Sequence, residues 1–146
     1  MLSQRLNKIL CINDNEITLF ILKRILDKVK FSEEVIEASD GLEALNYCRK
    51  LISDPAESEY TYPGLIFLDL NMPVMDGWEF LDHFSKHILP FFKNTKVIII
   101  SNSIDHADSE KLEQYHFVID FISNPMSVEY LLKIKNSLKD NYFLTG

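Results

Sequence analysis

A chain of 146 residues, 47% hydrophobic and 25% charged, is long enough to bury one core and too apolar for disorder. Its net charge of −7 speaks against a nucleic-acid-binding surface and points to metal cations, basic partners or plain solubility. Polar residues interrupt the N-terminal MLSQRLNKIL and no apolar run reaches bilayer length, so the expectations are no signal peptide, no membrane and a cytoplasmic location.

In chain order, Ile9–Ile12 (ILCI) is a short continuous apolar run, the pattern of a strand covered on both faces. Cys11 falls within it. With Cys48 it follows no metal or redox spacing, and both read as small core residues in a reducing compartment. Residues 16–30 follow with helical spacing, placing Ile17, Phe20, Ile21 and Ile25 on one stripe. Glu34–Ala38 is a weaker strand. Asp40 and Glu43 make a capping-box-like start for a helix over 41–53. The polar segment Ser53–Pro63 is a long loop.

Leu65–Leu68 (LIFL) is a second buried-strand pattern, and it stops at a carboxylate, Asp69. Asp76 and Glu79 cap a helix over 77–88, in which Trp78 is expected to pack and His83 and His87 to form a surface pair. Val97–Ile100 (VIII) is the third strong strand, and residues 105–114 form a mostly polar helix. Phe117–Ile122 carries Asp120 among apolar residues, which suits a sheet edge. Ser127 opens a last helix with Val128, Leu131, Leu132 and Leu138 facing inward.

Five βα alternations call for an α/β doubly wound parallel sheet with right-handed crossovers, in one domain covering 1–146 with its core at about 7–140. In such a sheet ligands collect beyond the strand carboxyl ends. The strands deliver Asn13-Asp14, Asp69, Ser101-Asn102 and Ser123-Asn124-Pro125 there. Two neighbouring carboxylates repel unless a cation sits between them, and oxygen donors from Asp14 and Asp69 suit Mg²⁺. An aspartate beside such an ion is a plausible phosphoryl acceptor, with Ser101 as a hydrogen-bond donor to the transferred group.

Over roughly residues 7–140 the chain resembles the receiver domain of two-component response regulators, most clearly in LDLNMPVMDGWEF. The resemblance implies a flavodoxin-like sheet of order 2-1-3-4-5, with Asp69 taking phosphate from a histidine kinase or phosphotransfer protein. It further implies Mg²⁺ held by Asp14, Asp69 and the backbone carbonyl of Asn71, and indirectly by Asn13. Ser101 and Phe121 stand at the switch positions, and Pro125 at a proline that follows a cis peptide bond.

Two departures stand out. Asn13 replaces one of the family's two acids, and Asn124 replaces its lysine, a compact point charge. Losing one acid and one base leaves the net charge of the site unchanged. The alternative to a phosphorelay receiver is therefore a degenerate pseudo-receiver that binds proteins without phosphorylation. An aspartyl phosphatase of the haloacid dehalogenase type would carry an acid where Asn71 stands, and the acidic loop NDNEIT is wrong for a flavin phosphate. The chain is expected not to be an enzyme beyond chemistry on Asp69 itself. Because it ends at residues 141–146, it is expected to lack an output domain and to signal through an unknown downstream protein, as a monomer or weak homodimer. Helix 105–114 with the fifth strand and last helix reads equally as a solvated face or as the output surface.

Overall fold

The computed structural model describes residues 6–102 and 105–138. Residues 1–5 and 139–146, which hold the start of the N-terminal decamer, the end of the 7–140 core and the chain's last residues, lie outside that range. The element order is β1 (Leu6–Ile12), α1 (Glu16–Lys28), β2 (Ser32–Ala38), α2 (Gly41–Ser53) and β3 (Leu65–Leu68). It continues with α3 (Gly77–His83), β4 (Lys96–Ser101), α4 (His106–Leu112), β5 (Val118–Ser123) and α5 (Val128–Leu138). The strands form one parallel sheet of order β2-β1-β3-β4-β5, as the alternation and the resemblance both imply.

Each strand sends alternate side chains to opposite faces. Leu10, Ile12, Ile66, Leu68, Val97 and Ile99 pack with α2, α3 and α4; Ile9, Cys11, Leu65, Phe67, Ile98 and Ile100 pack with α1 and α5. All four residues of β3 are buried. Burial contributes about 1.5–3 kcal/mol for each such side chain, enough to hold a polar residue at the strand's end in a partly desolvated place. Cys11 and Cys48 are buried free thiols, and burial pushes the Cys48 thiol up to about 12.

Several local expectations are corrected. On α1 the core stripe is Leu19, Leu22 and Leu26, while Ile17 is 71% exposed and Phe20 and Ile21 are also exposed. The helix is apolar on most of its circumference, so spacing could not choose the face, and sheet contact did. Leu132 is likewise exposed and Val128 only half-buried, with Leu131, Ile134 and Leu138 making the inner face of α5.

The helix expected over 77–88 changes to a π-helical turn at Phe84–Ile88, where the Leu89 N–H donates to the Phe84 carbonyl. That turn keeps Phe84 and Ile88 in the core, with Phe84 against Phe117 and Phe92 at ring-centroid distances of 5.3 and 6.0 Å. Helix α4 is shorter than expected, with Asp105 as its N-cap in a capping box.

β5 is an edge strand, as Asp120 suggested. A register shift lies between Val97↔Val118 and Ile98↔Asp120, leaving Ile119 as the extra residue of a bulge. Asp120 therefore turns to the α1/α5 face with Ile98, and there it accepts a 2.6 Å hydrogen bond from the Tyr130 hydroxyl.

Candidate functional site

The site is assembled by register. Ile12 pairs with Leu68, and Leu68 with Ile99, so β1, β3 and β4 end at one rim. The Asp69 N–H donates to the Ile12 carbonyl at 3.0 Å, which seats Asp69 beside Asn13. On the other side Ser101 pairs with Ser123, and the Asn124 N–H donates to the Ser101 carbonyl at 3.1 Å. Asn124–Pro125 is a cis peptide bond.

Asp69 is half-buried. Burial raises its carboxyl above the ordinary value; the N–H of Asn71, 3.3 Å from Oδ1, works against that, and the charge of Asp14 adds to the rise. Asp14 itself is exposed. Among the described residues, neither carboxylate forms an ion pair with a lysine, arginine or histidine. The two acids expected to share a cation thus act on one another.

The two asparagines are committed elsewhere. Asn13 is 6% exposed, and its Oδ1 accepts the Asn15 N–H at 2.9 Å, holding the turn into α1. The Asn124 Nδ2 donates to Asn102 Oδ1 at 3.1 Å, across the rim between the β4 and β5 loops. Neither amide brings charge to Asp69.

Ser101 is 0% exposed, and its Oγ has no hydrogen-bond partner. A buried hydroxyl without a partner is costly unless a guest group satisfies it. Registers Ile99↔Phe121 and Ser101↔Ser123 put Ser101 and Phe121 on the same face of adjacent strands. Phe121 is 41% exposed.

Two residues that sequence reasoning passed over shape the loop after Asp69. Gly41 and Gly77 read only as helix starts, yet a Cβ on Gly77 would meet the Asp69 carbonyl oxygen and the Leu70 Cα, and one on Gly41 would meet Met75. Their N–H groups donate to Leu70 and Met75 carbonyls, clamping the loop from two helices. The signal was present in the position of each glycine directly after an N-cap, but only tertiary contact gives it meaning. Asp76 caps α3 in a full capping box, as expected. Trp78 packs, with the Lys111 ammonium 4.3 Å from its ring centroid. His83 and His87 stack on one another.

The donor chemistry fits a hard divalent cation. Among the described residues no cluster of three or more His, Cys, Asp or Glu forms a cage, but Mg²⁺ takes one or two carboxylates and keeps several waters. Asp14 and Asp69 are the carboxylates at this rim that would hold such an ion, and the Ser101 hydroxyl on the neighbouring strand is buried without a partner.

Comparison with known proteins agrees with this architecture. The chain is 29% identical over 86% of its length to a protein-glutamate methylesterase/protein-glutamine glutaminase of Ralstonia nicotianae, of which it spans only 29%. A two-component response regulator of Cytophaga hutchinsonii superposes with a TM-score of 0.82 at 27% identity, covering 93% of this chain and 98% of that one. The phosphorylated cyanobacterial phytochrome response regulator RcpA gives 0.69 at 28% identity, with 97% and 96% covered. A family model of the response regulator receiver domain matches residues 9–136, so the chain belongs to the receiver domains of two-component response regulators.

Proposed function

We propose that this receiver accepts a phosphoryl group on Asp69 from a histidine kinase or phosphotransfer protein, and signals by changed contacts with a downstream protein. The observation that carries the reading is the Ser101 hydroxyl, buried without a partner on the strand next to Asp69. A phosphoryl oxygen is an acceptor for that donor. In the step, a carboxylate oxygen of Asp69 bonds to phosphorus as the phosphorus–nitrogen bond of the donor's phosphohistidine breaks. The electron pair stays on the imidazole, which is left neutral or takes a proton from water. Half-burial and the charge of Asp14 disfavour the bare carboxylate, and forming the acyl phosphate moves negative charge off the carboxyl oxygens onto the phosphoryl group, where it needs a counter-charge. Asp14, Asp69 and the Asn71 carbonyl, with Asn13 behind them, would hold Mg²⁺, which when bound would supply counter-charge for the phosphoryl group. Phe121, sharing a sheet face with Ser101, is the residue that reports the change at the surface.

The unit at work is one receiver domain over the whole chain, cytoplasmic, monomeric or weakly dimeric, with no enzymatic role beyond its own phosphorylation and dephosphorylation. Mg²⁺-dependent labelling by acetyl phosphate, read by intact mass, tests the reading. One phosphoryl group is expected on the wild type and none on Asp69→Asn; labelling that persists in the variant places the acceptor elsewhere.

A second reading, a phosphorylation-independent interaction module, is favoured by Asn13 and Asn124 having their amides engaged with Asn15 and Asn102. Beryllofluoride with Mg²⁺ separates the two. Amide shifts at Ser101 and Phe121 support the phosphorelay, and an unchanged spectrum supports the module.

A further inference from the structure

A cavity of about 70 Å³ opens between α1 and the β5–α5 loop, directly beside Asp69. A single water needs only about 10–15 Å³ of such space, so the cavity has room for several waters or a short alkyl chain. Its walls include Leu22, Phe67 and Met126, all buried and apolar. At its rim stand Asn13, Asp69 and Asn124, each following a strand's carboxyl end. The walls reward an apolar stem, and the rim holds one uncompensated carboxylate between two amides already bonded elsewhere. An apolar cavity with a carboxylate at its rim that has no cationic partner among the described residues is complementary to an amphipathic cation, whose stem and head want those two surroundings. Water would gain nothing from the apolar walls, and a neutral alkyl guest would leave the carboxylate, which already accepts the Asn71 N–H, without a counter-charge.

We propose that this cavity is a binding site for an n-alkylammonium cation, its alkyl stem against Leu22, Phe67 and Met126 and its ammonium on Asp69. Asn124 is what keeps the site open, because its amide is drawn across to Asn102 and carries no charge. The inference does not need Asp69 to be phosphorylated, and its test contains no phosphate. The same chemistry is offered by a diffusible amine and by the lysine side chain of a docked protein.

The test is a titration of ¹⁵N-labelled protein with n-butylammonium chloride, followed by amide shifts at Asn13, Asp69, Asn124 and Met126. Methylammonium is the control for charge without stem, and n-butanol for stem without charge, at constant ionic strength. A saturable response in about the millimolar range is expected for n-butylammonium. Either control should bind at least about fivefold more weakly, the equivalent of losing one modest ion pair or its apolar complement. Asp69→Asn should abolish the difference between n-butylammonium and n-butanol. Asn124→Lys, whose own ammonium enters the space, should lose the n-butylammonium response while its spectrum stays folded. Nα-acetyl-lysine N-methylamide then separates the sources: its binding assigns the site to a partner's lysine, and its exclusion while n-butylammonium still binds assigns it to a free amine. Equal binding of either control, or an undiminished preference in Asp69→Asn, overturns the proposal.

Discussion

A Cβ placed on Gly77 would lie 2.5 Å from the carbonyl oxygen of Asp69 and 2.7 Å from the Cα of Leu70. Both contacts are with backbone, so nothing flexible can give way. The first residue of α3 and the end of β3 are packed as closely as chain allows. Gly77→Ala should therefore destabilise the fold by about 1–3 kcal/mol, the usual range for overpacking, as read by urea denaturation. The displaced Asp69 should also be labelled more slowly by acetyl phosphate. Wild-type stability and rate in the variant would show that the loop has slack.

The raised carboxyl of Asp69 has a signed consequence for pH. A folded-state value above the unfolded one, about 3.9, means the folded chain binds that proton more tightly. Stability from this group is then full below the unfolded value, falls as pH rises through the raised one, and stays lower above it. Asp69→Asn removes the charge while keeping an oxygen to accept the Asn71 N–H. The variant should melt higher than wild type at pH 7, and its advantage should vanish as pH falls below about 4. A gain that persists in acid would have another cause.

Divalent cation should relieve the same carboxylate pair. Mg²⁺ at ten times its dissociation constant stabilises by about 1.4 kcal/mol if it binds the folded state alone. Thermal unfolding with and without Mg²⁺ should show this in wild type and lose most of it in Asp14→Asn. An unaltered Mg²⁺ effect in that variant would remove Asp14 from the donor set.

Two residues hold left-handed backbone without being glycine. Lys30, at φ 52°, ends α1 with its N–H donating to Asp27 and that of Phe31 donating to Leu26, the paired bonds of a Schellman cap. Val74, at φ 67°, sits in a tight turn where the Met75 N–H reaches the Pro73 carbonyl at 2.7 Å. A β-branched residue is strained there. Lys30→Gly and Val74→Asn should each stabilise by about 0.5–1 kcal/mol, measured by chemical denaturation. A loss of stability in either would show the side chain holding more than its backbone strain.

The Tyr130 hydroxyl and Asp120 form a 2.6 Å hydrogen bond that ties α5 to the edge strand, and the same carboxylate accepts the Phe121 N–H at 2.8 Å. Tyr130→Phe should lower stability by about 1–2 kcal/mol, since the donor that a charged acceptor relied on is gone. With Asp120→Asn as the second arm of a double-mutant cycle, a coupling energy near zero would show the pair to be independent.

Much of the fold was legible in local pattern. Uninterrupted apolar runs such as LIFL and VIII mark strands covered on both faces, and β3 was bounded to the residue because Asp69 and the turn after it cannot continue a buried strand. The helix over 41–53 was equally plain, since Asp40 and Glu43 announce its start. The rim residues were legible because a parallel sheet must place all its strand ends together.

What stayed hidden was everything decided by which surface meets which. On α1 both the isoleucine set and the leucine set have helical spacing, and only contact with the sheet buried the leucines and left Ile17 and Phe20 outside. The bulge at Ile119, the π-helical turn at Phe84 and the glycines that press on the Asp69 loop are answers to packing between distant segments. Residue type and spacing determined that two acids, a hydroxyl and two amides would share one rim. Only the tertiary structure decided that the amides turn to Asn15 and Asn102, leaving Asp69 half-buried with a like charge as its neighbour, because hydrogen-bond partners and desolvation depend on geometry that no local pattern carries.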